Sequence, residues 1–200
     1  EGPALPPSCA VYQMSSDVRD LGRTFWTPLS VVGDVRASLQ ALLPELQVLT
    51  QGRAAAYHAA GERVAAQRMQ HKAQARLAMQ AHRSDAVIHP SVAAWEVVRA
   101  VGPDIAIVDE AIATSSDVRL FLESAWSAQY SFLRGGALGW GMPAAVGASL
   151  GLGRERVVSL VGDGAALYSP QALWTAAHEK LPVTFVVMNN QEYNVLKNFM

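Results

Sequence analysis

The chain has 200 residues, half of them apolar and 16% charged, with a formal net charge of −1. That length can bury a sizeable core, and the balanced charge excludes the cationic excess of a general nucleic-acid binder. Cys9 is the single cysteine, which excludes an intrachain disulfide and the cysteine-ligated metal motifs. Apolar runs such as residues 183–188 are far too short to span a bilayer, and nothing at residue 1 reads as a secretion leader. The expectation is a cytoplasmic globular domain without membrane or nucleic-acid partners.

In chain order, residues 9–14 read as a short strand. Gly33-Asp-Val-Arg then opens an amphipathic helix with Val35, Leu39, Leu42, Leu43 and Leu46 on one face. Residues 1–50 are thus a strand and a closing helix, too little for a domain alone. Residues 51–85 are rich in Ala, Gln and Arg with a thin apolar stripe (Val64, Met69, Leu77), the composition of a solvated connecting helix, favoured over a basic surface for an anionic partner. From residue 86 helix and strand alternate. His89-Pro90 starts a helix, residues 104–109 form a buried strand ending at Glu110, and a helix covers about 117–128. A glycine loop at 135–141 leads into a small-residue helix at 143–150. Strand 156–161 runs into Gly162-Asp163-Gly164, a helix spans 169–179, and strand 182–188 ends at Asn189-Asn190. Continuously apolar strands separated by helices predict a parallel sheet with helices on both faces. The opening Glu-Gly-Pro and the stop at Met200 inside a helical pattern lead to the expectation of a fragment, with the end of the 86–200 domain missing.

In an open parallel sheet, ligands gather beyond the carboxyl ends of the strands. Two such ends carry polar groups here, Asp163 between glycines and the Asn189-Asn190 pair. One crossover helix joins the two strands, which predicts that they are close in the sheet and that the polar groups converge. One carboxylate with amide and carbonyl oxygens is a hard, sparse ligand set of the kind Mg²⁺ completes with phosphate and water. The flanking glycines are expected to let the backbone approach a ligand. A helix beginning after Gly164 is expected to aim N–H groups at the same anion. No Gly-x-x-x-x-Gly-Lys-Ser/Thr stretch is present, so a P-loop is excluded.

Gly162-Asp163-Gly164, twenty-four intervening residues and Asn189-Asn190 together resemble the cofactor motif of thiamine diphosphate (ThDP)-dependent enzymes. Within that family the benzoylformate decarboxylase and acetolactate synthase branch is most similar. The likeness rests on Gly135-Gly-Ala-Leu-Gly-Trp-Gly-Met-Pro-Ala-Ala-Val-Gly and on Tyr168-Ser-Pro-Gln-Ala-Leu-Trp-Thr-Ala-Ala.

The resemblance implies a ThDP-binding fold over 86–200, preceded in residues 1–50 by the tail of the family's central domain, a fragment of a second α/β domain, and a set of roles. Asp163, the Asn190 side chain and the Glu192 backbone carbonyl would ligate Mg²⁺. Gly162 belongs to the same turn, and Gly164 and Ala165 would offer N–H groups to the diphosphate. Gly136 would accept from the aminopyrimidine, and Leu138 would bend the cofactor so that its amino group reaches the thiazolium carbon and a carbanion forms. Tyr193 would shield the metal loop, and Val195, Leu196 and Phe199 would border a pocket for a 2-keto acid. The activating Glu of the family lies on an N-terminal pyrimidine-binding domain of a neighbouring subunit in a homodimer or homotetramer. No catalytic acid or base is therefore assigned within 1–200, and the fragment alone is expected to be inactive.

Decarboxylation, acetolactate-type carboligation, an inactive cofactor-binding module and a fold without cofactor stay open. Ile112 and Ala113 stand where relatives carry hydroxyls, Ala165 lacks the hydroxyl common after the motif, and Gln191 and Asn194 replace frequent glycines. Glu110 is expected to orient the adjacent loop near the diphosphate rather than to act as a base, and His89 to cap a helix.

Overall fold

The computed structural model describes residues 5–122, 129–193 and 197. The chain divides into two compact units, Glu1–Ala66 and Gln67–Met200. In the first, β1 (Tyr12–Ser15) pairs in parallel with β2 (Leu29–Val32), Tyr12 opposite Leu29. Helix α1 (Val35–Leu49) starts at Asp34, whose Oδ1 accepts the Ala37 N–H at 2.8 Å. The helical period of Val35, Leu39, Leu42, Leu43 and Leu46 is present, but these side chains remain 41–55% exposed. Two four-residue strands offer too little surface to cover the stripe. Strand β2 went unread in the sequence because four residues behind Pro28 carry almost no period.

Helix α2 (Ala54–Ala81) fills most of the stretch expected to connect domains, and Met79 is its one buried residue among those described. The second unit continues with α3 (Pro90–Val101), β3 (Ala106–Glu110), α4 (Ser115–Phe121), β4 (Tyr130–Phe132) and α5 (Gly141–Gly151). It ends with β5 (Val157–Gly162), α6 (Asp163–Ala166), α7 (Gln171–His178) and β6 (Val183–Met188). The four strands lie in the order β4-β3-β5-β6, all parallel. Alternation along each strand sends side chains to opposite faces. Ile107, Val158 and Leu160 pack with Met79 of α2, Ala94 and Val98 of α3, and Val118 and Phe121 of α4. On the other face Val161 packs with Met142 and Val146 of α5 and with Ala172 and Ala176 of α7, while Val108 and Val157 pack with Ala145. The sheet is therefore covered on both sides, as its continuous apolar strands required.

Register sets the site. Glu110 lies opposite Val161, and Gly162 opposite Met188, so Ala111, Asp163 and Asn189 leave the sheet at nearly one level. Three expectations are corrected. Three-residue β4 was not foreseen. Helix α4 starts at Ser115 rather than 117, and residues 123–128 of the expected helix lie outside the described residues, Trp126 among them. The helix after Gly164 is a single turn, with the longer α7 beginning only at Gln171; the intervening Ser169-Pro170 breaks the run.

Candidate functional site

A cavity of about 760 Å³ opens at the carboxyl ends of β3, β5 and β6. Its walls are Ala111–Thr114 after β3, Gly162–Ala165 after β5, and Asn189, Asn190, Glu192 and Tyr193 after β6. Leu138 and the start of α3 from Ile88 close it. Crossing residues of this kind at strand tips is what an open parallel sheet does with its loops.

Asp163 is half-buried, and its Oδ2 accepts the Gln191 N–H at 3.0 Å. This hydrogen bond ties the turn after β5 to the loop after β6. The same N–H reaches Asn189 Oδ1 at 3.1 Å, and Asn190 Oδ1 accepts the Glu192 N–H at 3.0 Å. These Asx turns hold the loop in shape. The Glu192 carboxylate meets Lys197 Nζ at 2.7 Å. The Tyr193 ring lies against Gly164, 3.5 Å from where a Cβ would stand, and its hydroxyl is 3.5 Å from that of Tyr168. The Tyr168 hydroxyl, and less strongly the Asp163 charge, hold the Tyr193 phenol above its ordinary pKa.

Of the residues singled out by sequence, Leu138, Gly162, Asp163, Gly164, Ala165, Asn190, Glu192 and Tyr193 all line this one cavity. Gly136 sits in the glycine loop two residues from Leu138 but does not itself line it. Val195, Leu196 and Phe199 lie outside the described residues. The reason given for the two motif glycines needs correction. Gly162 has an extended φ of −68°, open to any residue, and the group that comes close to Gly164 is Tyr193. A four-residue α6 also carries little macrodipole, so an anion there would meet individual N–H groups rather than a helix end.

Gln191, in place of a frequent glycine, adopts φ +57°. The loop keeps a left-handed geometry at a cost of about 1 kcal/mol. Ile112 has φ +50°, rarer still for a β-branched residue.

At the tip of β3 the expectation for Glu110 is corrected, since it holds the glycine loop at 139–141 while the loop that follows it is held by Asp109, a residue sequence reasoning passed over. Asp109 and Glu110 are both fully buried. Asp109 Oδ1 accepts the Ala111 N–H and the Ser115 hydroxyl, each at 2.8 Å, and Oδ2 accepts the Tyr130 hydroxyl at 2.6 Å. Burial first, then Asp109, pushes the Tyr130 phenol up. Glu110 points to the other face. Its Oε1 accepts the N–H groups of Gly139 at 2.6 Å and Trp140 at 3.3 Å, and its Oε2 that of Gly141 at 2.5 Å. A Cβ on Gly141 would stand 2.8 Å from Glu110, and one on Gly139 2.7 Å from the Tyr168 Cβ. Only glycine fits there, and at Gly139 the φ of +96° also demands it. The signal for this pair was two acids in succession at the end of an apolar strand.

Among the described residues no group of three or more His, Cys, Asp or Glu could hold a metal ion. A cation here would have one carboxylate, amide and carbonyl oxygens, and the oxygens of its own anionic ligand. That donor set fits Mg²⁺ with a diphosphate, and offers nothing to a softer metal.

A parallel sheet covered on both faces, with a cavity at the carboxyl ends of its strands, defines the α/β class of cofactor-binding domains. Residues 122–200 match the family described as "Thiamine pyrophosphate enzyme, C-terminal TPP binding domain", thiamine pyrophosphate being another name for ThDP. Over these residues the chain is similar to the C-terminal, cofactor-binding domain of the ThDP-dependent enzymes. It is 37% identical to benzoylformate decarboxylase of Pseudomonas aeruginosa over 106 residues, 52% of this chain and 20% of that protein. A Mycobacterium tuberculosis protein described as an acetolactate synthase large subunit is 40% identical over 108 residues, 54% of this chain and 21% of the relative. The solved structure of a Mycobacterium smegmatis protein described as a ThDP-dependent enzyme superposes on 96% of this chain and 35% of its own, with a TM-score of 0.65 and 27% identity. The chain thus spans about a fifth of the length of the curated relatives it matches.

Proposed function

We propose that this chain forms the Mg²⁺–diphosphate clamp of a 2-keto acid decarboxylase similar to benzoylformate decarboxylase. The observation that carries the reading is the hydrogen bond from the Gln191 N–H to Asp163, which draws the turn after β5 and the loop after β6 onto one cavity. Asp163 keeps its second carboxylate oxygen for a cation. The Asn190 amide oxygen and the Glu192 carbonyl supply the other protein ligands, since the Glu192 carboxylate is engaged by Lys197. The N–H groups of Gly164 and Ala165 face the diphosphate. Leu138, half-buried on the cavity wall, supports the cofactor rings, and Gly136 accepts from the aminopyrimidine. Tyr193 closes over Gly164 and limits water.

Bound ThDP supplies the nucleophilic carbon and the electron sink for cleaving the bond beside a 2-keto carbonyl. The chain's own residues hold and orient the cofactor and leave proton handling to a neighbouring subunit. The active assembly would accordingly be a homodimer or homotetramer with a pyrimidine-binding domain completing each site, and these residues alone would not turn over substrate. Carboligation of the acetolactate kind is the second reading, favoured by the 40% identity to the M. tuberculosis relative. The match of residues 168–177 and the P. aeruginosa relative favour the decarboxylase.

Isothermal titration of ThDP with and without Mg²⁺ tests the clamp. Wild-type chain should bind only with Mg²⁺, and Asp163→Ala should weaken binding at least 100-fold while the melting temperature stays put. Equal affinity for the two proteins would mean that the clamp is misassigned. Turnover of benzoylformate against pyruvate by the natural full-length protein separates the two reactions.

A further inference from the structure

We infer that Asp109 and Glu110 are positioning residues that divide the cofactor between them, Asp109 fixing the loop at the diphosphate end and Glu110 the loop at the ring end. The inference rests on the proposed ThDP site, gives Asp109 a role it did not have, and moves the loop-orienting role expected of Glu110 from the diphosphate to the ring end. Strand alternation sends consecutive side chains to opposite faces, and β3 ends with one carboxyl on each.

Asp109 turns toward α4. The hydrogen bonds it accepts from the Ala111 N–H and the Ser115 hydroxyl pin both ends of the segment 111–115, and the one from the Tyr130 hydroxyl ties the carboxyl to β4. Ala111 to Thr114 of this segment line the cavity beside Gly162–Ala165. The segment includes Ile112 at φ +50°, a conformation that persists only where surrounding structure over-determines it. Glu110 turns toward α5. Its three accepted N–H groups, Gly139, Trp140 and Gly141, are those at the start of α5, which no side chain of the helix itself caps. They follow directly on Leu138, the wall that meets the cofactor rings in the proposed pose.

The two carboxyls differ in what an amide could replace. An Asn at 109 keeps one oxygen for Ala111 and Ser115 and can donate its amide N–H to the Tyr130 oxygen. A Gln at 110 keeps only one acceptor for two sets of N–H groups and turns an N–H against an N–H, leaving a buried donor unsatisfied. Asp109→Asn should therefore behave as wild type, whereas Glu110→Gln should not.

The test measures binding of two probes, Mg²⁺ with inorganic pyrophosphate and Mg²⁺ with ThDP, to wild type, D109A, D109N and E110Q. Amide hydrogen exchange is followed on the same proteins without ligand. E110Q should weaken ThDP about tenfold and leave pyrophosphate within about twofold, a tenfold loss being what one unmade hydrogen bond typically costs. D109A should weaken both probes by a similar factor, and D109N should restore both. Exchange should quicken at Gly139 and Gly141 in E110Q and at Ala111 in D109A, each without the other. If D109A loses cooperative melting, E110Q and D109N still carry the comparison. Equal loss of both probes in E110Q, failure of D109N to rescue, or exchange that quickens everywhere in E110Q overturns the inference. Wild-type chain that binds neither probe overturns the proposed function instead, and the exchange pattern still decides whether the two holds are separate.

Discussion

The tips of β3 and β5 both end in acids, and they use them in opposite ways. At β3 the oxygens of Asp109 and Glu110 are fully buried and taken up by six donors of the protein itself, three to each. At β5 Asp163 is half-open to a cavity and accepts one N–H. The neighbouring Asn189 and Asn190 are exposed. An acid at a strand tip is therefore not a ligand site by virtue of its position. What separates the two kinds of acid is how many lone pairs the fold has already satisfied, and by that measure Asp163 fits the ligand role proposed for it.

The sharpest way to break this contrast is Glu110→Ala. It strands three backbone N–H groups around a buried hole and should cost about 3–5 kcal/mol of stability, read as a shift in the urea midpoint. A loss below about 1 kcal/mol, the range of an exposed acid, would erase the distinction from Asp163.

A second change sharpens the β6 side. Gln191→Gly removes a side chain from a left-handed residue at φ +57° and should stabilise the folded loop by up to about 1 kcal/mol, partly offset by glycine's extra chain entropy. A clear loss of stability would show that the side chain itself, and not only the backbone bend, is needed.

The smallest effect is expected at Asp117, on the cavity wall. Burial holds its carboxyl above the ordinary pKa, opposed by the charge of His89. The folded state thus binds this proton more tightly than the unfolded chain does. The contribution to stability is complete below pH about 4 and is lost as pH rises through the raised folded value. Asp117→Asn should remove that fall and raise stability at pH 7 by under about 0.5 kcal/mol after solvent screening. Parallel stability–pH curves for the two proteins would count against the assignment.

Much of this was legible in the sequence where a physical period spoke. Residues 104–109, 156–161 and 182–188 are apolar on both faces and bounded by polar turns, and each became a parallel strand. The spacing of Asp163 and Asn190 located the cavity because a single crossover leaves few places for the second strand. The four residues of β2 and the three of β4 are too short for any period, and they form because an existing edge is there to pair with. Tertiary burial was equally silent: α1 has its stripe, yet none of its residues is buried. The roles of Gly139 and Gly141 depend on which side chains, Tyr168 and Glu110, arrive from elsewhere in the chain, and composition alone does not carry that.

The shared register of β5 and β6, from Val157 opposite Val183 to Gly162 opposite Met188, works as a ruler for the loop beyond it. A single amino acid inserted into or removed from β6 would advance the count by one, exchanging inward for outward along the strand. Asn189 or Gln191 would then arrive where Asn190 now stands. The length of an apolar strand, as much as the identity of any polar residue at its end, decides which oxygen is presented.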